Sequence, residues 1–170
     1  MRTRLLFIMA LLAGASSLFA QNINTEITDR KSNSNILVGF CDEKGLEKGE
    51  FGVYFESQYE TYTPKAKTID KLKGKINNYD IKIVFASWCS DSKLQVPRFY
   101  KILDLAGFNK SQLETIGVDH NMNALVVNIA SLNIERVPTF IIYKHDKEIG
   151  RIIESPSKSL EDDLLKIIEK

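Results

Sequence analysis

The stretch Phe85–Phe99, FASWCSDSKLQVPRF, decides the fold of this chain. It starts at the end of IKIVFA (Ile81 to Ala86), a compact β-rich apolar run suited to a strand buried on both faces. It runs on into Ser90 to Ala106, where Phe99, Ile102, Leu103 and Ala106 recur at helical spacing and mark one face. Trp88 and Cys89 stand at the turn between strand and helix. A cysteine there sits at the N-terminal edge of the helix, where unpaired N–H groups and the helix dipole favour an anion, and so a thiolate. Asp91 opposes this by putting a carboxylate nearby. Ser92, one turn in, is placed to donate a hydroxyl hydrogen bond to the sulfur, and Trp88 offers an apolar platform for a substrate chain. Pro97 removes a backbone hydrogen bond inside the helix. The unbroken apolar face beyond it predicts that the helix continues, with its first turns shaped around Cys89.

Working outward, LETIGVD (Leu113 to Asp119) reads as a second strand and Ala124 to Leu132 as a helix, with Val126 and Val127 weakening its propensity. PTFIIYK (Pro138 to Lys144) and EIGRIIE (Glu148 to Glu154) flank the turn HDK and predict a hairpin. Ser159, with Asp162 three residues on, caps a last helix whose Leu160, Leu164, Ile167 and Ile168 face one way. The order is β-α-β-α-β-β-α. Upstream, Thr68 to Lys75 reads as a short helix. Phe51, Phe55, Tyr59 and Tyr62 form a helical stripe ended by Pro64, a pattern that suits packing on a core better than lining a groove. Asp42 to Glu50 reads as a loop, Ile36 to Phe40 as an apolar run of either type, and the polar Gln21 to Asn35 as a mobile leader.

The 170 residues are 44% hydrophobic and 26% charged, enough for one ordinary core. Basic and acidic residues, 23 against 22, are interleaved, so the chain lacks the basic footprint of a nucleic-acid binder. At the N-terminus, Arg2 and Arg4, the apolar Leu5 to Ala15 and the small-residue exit SSLFA ending at Ala20 have the three parts of a secretory signal. The expected organisation is a signal peptide over 1–20, an N-terminal extension over 21–65 and a domain over 66–170. The mature chain would carry no membrane span and reside in the bacterial periplasm or cell envelope. Two cysteines remain, Cys41 and Cys89, and the sequence leaves open whether they meet. No set of cysteines and histidines suits zinc or copper, and no glycine-rich loop suits a phosphate. His120 follows the second strand and His145 falls in the hairpin turn; both read as surface histidines.

From Ile81 onward the chain resembles the thioredoxin-like superfamily, through three features. WCSDS (Trp88 to Ser92) occupies the strand-to-helix turn where that family carries Trp-Cys-x-x-Cys. Pro97 falls where thioredoxins have a kinking proline, and RVPTFIIYK (Arg136 to Lys144) is similar to the stretch whose cis-proline opens the last hairpin. WCSDSKLQVPRFYKILD is also similar to exported bacterial thioredoxin-like proteins with Cys-x-Asp-Ser. The resemblance implies an α/β thioredoxin fold, a central mixed β-sheet flanked by helices, here with a helical N-terminal extension. It implies no cofactor, and a partner that is a disulfide- or thiol-containing protein or a small thiol. Val137, before a cis Pro138, would face Cys89 and pair with an extended substrate strand.

Two positions depart from the family. Ser92 replaces the resolving cysteine, and Ile83 stands where the family has a buried acid that helps deprotonate that cysteine. An alcohol cannot attack a mixed disulfide usefully. The implied activity is therefore monothiol exchange through Cys89, isomerase-like or ending in a mixed disulfide. Release would fall to a substrate thiol, a small thiol or Cys41, which is also a candidate for a regulatory disulfide. The alternative is a redox-inactive binding module whose groove beside Trp88, Val137 and Pro138 holds an extended peptide.

Overall fold

A computed structural model describes residues 22–170. The expected signal segment, 1–20, lies outside them. Six strands form one mixed sheet: β1 (Thr25–Thr28), β2 (Asn35–Cys41), β3 (Asp80–Phe85), β4 (Leu113–Gly117), β5 (Thr139–Lys144) and β6 (Lys147–Ile153), in the order β1-β2-β4-β3-β5-β6. β3 and β4 are parallel and the other neighbours antiparallel. Among the described residues five α-helices accompany the sheet: α1 (Glu43–Leu46), α2 (Gly49–Thr61), α3 (Ala66–Leu72), α4 (Ser90–Ala106) and α5 (Leu160–Ile168). From β3 onward, a parallel β-α-β pair, an antiparallel hairpin and a closing helix make up a thioredoxin fold.

Period-two alternation sorts the strand residues between two unequal faces. Ile81, Ile83 and Phe85 of β3, with Leu37, Cys41, Phe140, Ile142 and Ile152, meet side chains of α2, α3, α4 and α5 in the main core. Phe99 of α4 lies on Phe140 with ring centroids 4.4 Å apart, a contact contributing about 1 kcal/mol beyond its burial. Val84, Ala86, Ile116 and Val118 point the other way, into a smaller core closed by Ala124, Ile129 and Val137.

α4 spans the predicted residues, with Pro97 inside it, and ends where Gly107 adopts φ 71°, the left-handed conformation that terminates a helix without a Cβ clash. α5 is capped by Ser159, whose side chain accepts the Asp162 N–H, and carries its acids in the first turn and Lys166 in the last.

Three expectations of secondary structure are overturned. Asp42 to Glu50 is not a loop: α1 spans Glu43–Leu46, capped by Asp42, whose side chain accepts the Gly45 N–H, and α2 starts at Gly49. Ala124 to Leu132 is not a helix: it forms a short bridge between Ala124 and Val127 and a single 3-10 turn over Ala130–Leu132. Asp119 Oδ1 accepts the N–H groups of Asn121 and Asn123, and Met122 and Leu125 take positive φ, so local side-chain bonds outbid a helix already weakened by two valines. Nor are residues 25–35 a mobile leader. β1 pairs with β2 from Thr25↔Val38 to Thr28↔Asn35, and β2 pairs with β4 at Gly39↔Gly117. Local polarity concealed a strand whose partner is the apolar run ILVGF.

The extension shares the core with the rest of the chain. Phe51 meets Phe85 and Phe55 meets Tyr100, with centroids 5.3 and 5.5 Å apart. Glu161, 1% exposed at the start of α5, accepts the Tyr62 hydroxyl at 2.6 Å and the Lys65 N–H at 3.1 Å. Burial acts to raise its carboxyl, but these bonds and Ser159 outweigh it and hold the group below the ordinary range. Lys65 and Thr68 likewise lower Asp162. A carboxyl depressed in the folded state stabilises above its unfolded value and loses that contribution as pH falls through the folded one. Urea midpoints should therefore hold steady from neutrality down to about pH 5 and drop below about pH 4. Glu161→Gln should flatten that drop; an equally steep acid loss in this variant would dismiss Glu161 as its source.

Candidate functional site

Cys89 is the N-cap of α4, with extended backbone (φ −82°, ψ 130°), and its carbonyl accepts the Lys93 N–H at 3.0 Å. The turn before it is pinned twice: Cys89 N–H donates to Ala86 O at 3.0 Å, and the buried Ser87 hydroxyl accepts the Leu37 N–H of β2, also at 3.0 Å. The thiol is half-buried, and its Sγ stands 3.4 Å from the carbonyl oxygen of Val137. The Val137–Pro138 peptide is cis. This bend is held by Thr139 Oγ1 on Arg136 O (2.6 Å), Glu154 N–H on Pro138 O (2.7 Å) and an Arg136–Glu154 ion pair. Trp88, the preceding residue, packs against the same small core as Cys89 and donates Nε1–H to Val118 O at 3.3 Å.

Trp88, Cys89 and Val137 thus converge at the carboxyl end of β3, the end at which open α/β sheets place their sites. Asp91 sits half-buried in the first turn of α4. Ser92 does not meet the expected role. It is fully buried, and its oxygen accepts the Ala86 N–H at 3.2 Å, so the hydroxyl ties the helix to the end of β3 rather than to Cys89.

Cys41 is also displaced from its expected role. It pairs with Thr115, which pairs with Ile83, so it stands two strands from β3 and below that strand's end. Two strand spacings come to about 9.6 Å, beyond the reach of a disulfide without backbone movement. Its side chain belongs to the helical core while Cys89 belongs to the opposite one, and burial pushes its thiol up to about 12. Both cysteines are free. Cys41 is thereby removed as a resolving thiol for Cys89 in the folded chain.

Other neighbours escaped sequence reasoning because they come from distant segments. Tyr54 and Gln58 of α2 join Trp88, Ser90, Lys93 and Leu94 around a shallow groove of about 300 Å³ next to the site. His120 lies flat on Trp88. A larger cleft of about 700 Å³, bordered by Asp80, Lys82, Glu114 and Tyr143, lies at the far end of β3 and shares no residue with the thiol site. Among the described residues no three potential metal ligands cluster, and no helix is long and apolar enough to cross a membrane.

No family model matches the chain. A thioredoxin from Alternaria alternata is 26% identical over 101 residues, covering 59% of this chain and 77% of that protein. Among solved structures, a protein of unknown function from Pseudomonas aeruginosa has a TM-score of 0.49 at 15% identity, over 69% of this chain and 81% of its own. The thioredoxin of Fasciola hepatica has a TM-score of 0.38 at 22% identity, over 61% and 86%.

Proposed function

We propose that this chain is an exported, envelope-resident thioredoxin-like protein that exchanges disulfides through the single thiol of Cys89. The observation that carries the reading is the half-buried thiol of Cys89 at the N-cap of α4, its Sγ 3.4 Å from the Val137 carbonyl and Trp88 packed on the same small core. The similarity to a thioredoxin supports the same class of chemistry. In the first step the Cys89 thiolate attacks one sulfur of a substrate disulfide. A Cys89–substrate bond forms, the substrate S–S bond breaks, and the other substrate sulfur leaves as a thiolate. A second thiol, from the substrate itself or a small thiol, then attacks the mixed disulfide and returns Cys89 to the reduced state. With release by the substrate's own thiol there is no net oxidation, which is isomerase behaviour. Val137 and Pro138 would line the extended segment around the target disulfide, with Trp88 as the apolar wall.

The test is the rate of alkylation by iodoacetamide at neutral pH, followed by mass mapping. Cys89 should react faster than a cysteine in an unfolded peptide, while Cys41 should stay unlabelled until the chain is denatured. A Cys89 no faster than the peptide cysteine would leave the binding-module reading in its place.

A further inference from the structure

Trp88 is held on more than its indole nitrogen. The His120 imidazole covers the indole with ring centroids 3.9 Å apart and planes 23° apart. Nε2 of His120 stands 3.2 Å from Oδ2 of Asp29, whose side chain is 8% exposed. Asp29 lies in the turn between β1 and β2, and the same oxygen accepts the Ser32 N–H at 2.9 Å and the Ser32 hydroxyl at 2.6 Å. Three segments far apart in sequence therefore end in one chain of contacts beside Cys89. An indole anchored by Nε1 alone can still swing about that bond; a ring pressed on its face removes that freedom.

We propose that Asp29 and His120 are a positioning pair that fixes the Trp88 indole as one wall of the groove beside Cys89, making the β1–β2 hairpin part of the site. Its consequence for exchange rests on the thiol-exchange reading above; the contact itself does not. Ser32's hydroxyl holds the Asp29 carboxyl at about 2, so a carboxylate faces the imidazole across the neutral range. A neutral imidazole donates one N–H to it, and a charged one adds an ion pair and a cation–π contact with the indole. The other charged groups of these segments are Arg30 and Lys31, exposed on the hairpin turn, Asp119, committed to Asn121 and Asn123, and Asp91 beyond the thiol.

Trp88 is the sole tryptophan, so intrinsic fluorescence reports this contact directly. At neutral pH both His120→Gln and Asp29→Asn should change the intensity of Trp88 emission and free the indole, read as a drop in fluorescence anisotropy, while His145→Gln should behave like the wild type. The second readout is the rate with a short peptide whose cysteine is a mixed disulfide with nitrothiobenzoate, divided by the rate with iodoacetamide. Both His120→Gln and Asp29→Asn should lower this ratio about threefold to tenfold, the scale of a misplaced substrate wall. His120→Phe, which keeps a ring on the indole, should restore both the ratio and the anisotropy. Wild-type anisotropy in His120→Gln overturns the pair, and lowered anisotropy with an unchanged ratio overturns its positioning role. Should wild-type Cys89 prove inert to the peptide, the exchange reading fails and fluorescence alone decides the contact.

Discussion

On the proposed exchange reading, a chain carrying Ser92→Cys is expected to gain dithiol turnover. In that reading the wild-type Cys89 mixed disulfide would wait for an outside thiol, because the residue one turn into α4 is an alcohol. A thiol at that position recreates the Cys-x-x-Cys pattern at a helix N-terminus that serves dithiol oxidoreductases. With excess reductant, reduction of a disulfide-bearing peptide should rise by about tenfold or more, and the air-oxidised variant should contain a bond between Cys89 and the new thiol. Two local facts limit the gain. Ser92 is buried with its oxygen on the Ala86 N–H, and sulfur is a weaker acceptor, so the exchange should cost about 1 kcal/mol of stability. Ile83, fully buried on β3, supplies no base for the second thiol. Ser92→Ala is the control: it leaves the Ala86 N–H unpaired without adding a nucleophile, and should stay at the wild-type rate. A Ser92→Cys chain that captures substrate yet turns over no faster than this control would show that a thiol there cannot reach Cys89.

The second large effect is on the fold. A Cβ at Gly117 would stand 2.5 Å from the carbonyl oxygen of Leu37, 2.9 Å from its carbon and 3.3 Å from the Val38 nitrogen. All three are backbone atoms of β2, so no side chain can turn aside, and Gly117→Ala must push β2 off β4. The expected loss is on the order of 3 kcal/mol or more in urea unfolding. Gly74→Ala is the comparison: nothing lies within 4 Å of a Cβ there, and only its φ of +73° is strained, at about 1 kcal/mol. Gly117 also leads directly into Val118, whose carbonyl holds Trp88, and β2 continues the hairpin that carries Asp29. Loss of the β2–β4 pairing should therefore disturb Trp88 emission before the chain unfolds. Equal midpoints for the two variants would mean that the strands part at no cost.

Sequence alone determined the elements that close on near neighbours. IKIVFA is a strand because its run is β-rich, apolar and short, and Ser90 to Ala106 is a helix because its apolar face repeats at helical spacing through Pro97. The hairpin after Pro138 and the capped last helix follow from turn and cap chemistry a few residues long. These signals also located the turn that carries Trp88 and Cys89; that Ser92 and Ile83 stand where a dithiol cycle would need its resolving thiol and its buried acid is what the resemblance to thioredoxins implies. Much of what the tertiary structure decided depends on partners that are remote along the chain, and the rest, at Ala124 to Leu132 and at Ser92, turns on short-range bonds that periodicity does not record. β1 exists because β2 pairs with it and β4 holds β2, and its own polar residues carry no trace of that. The predicted helix at Ala124 to Leu132 yields to bonds from Asp119, while Ser92 turns toward Ala86 because its position in the core, not its residue type, sets its donor. Cys41 is barred from Cys89 by the sheet between them, and His120 reaches Trp88 from just beyond the carboxyl end of β4 with Asp29 behind it. Local periodicity records what a residue's neighbours in sequence require; only packing brings Asp29, Trp88 and His120 together.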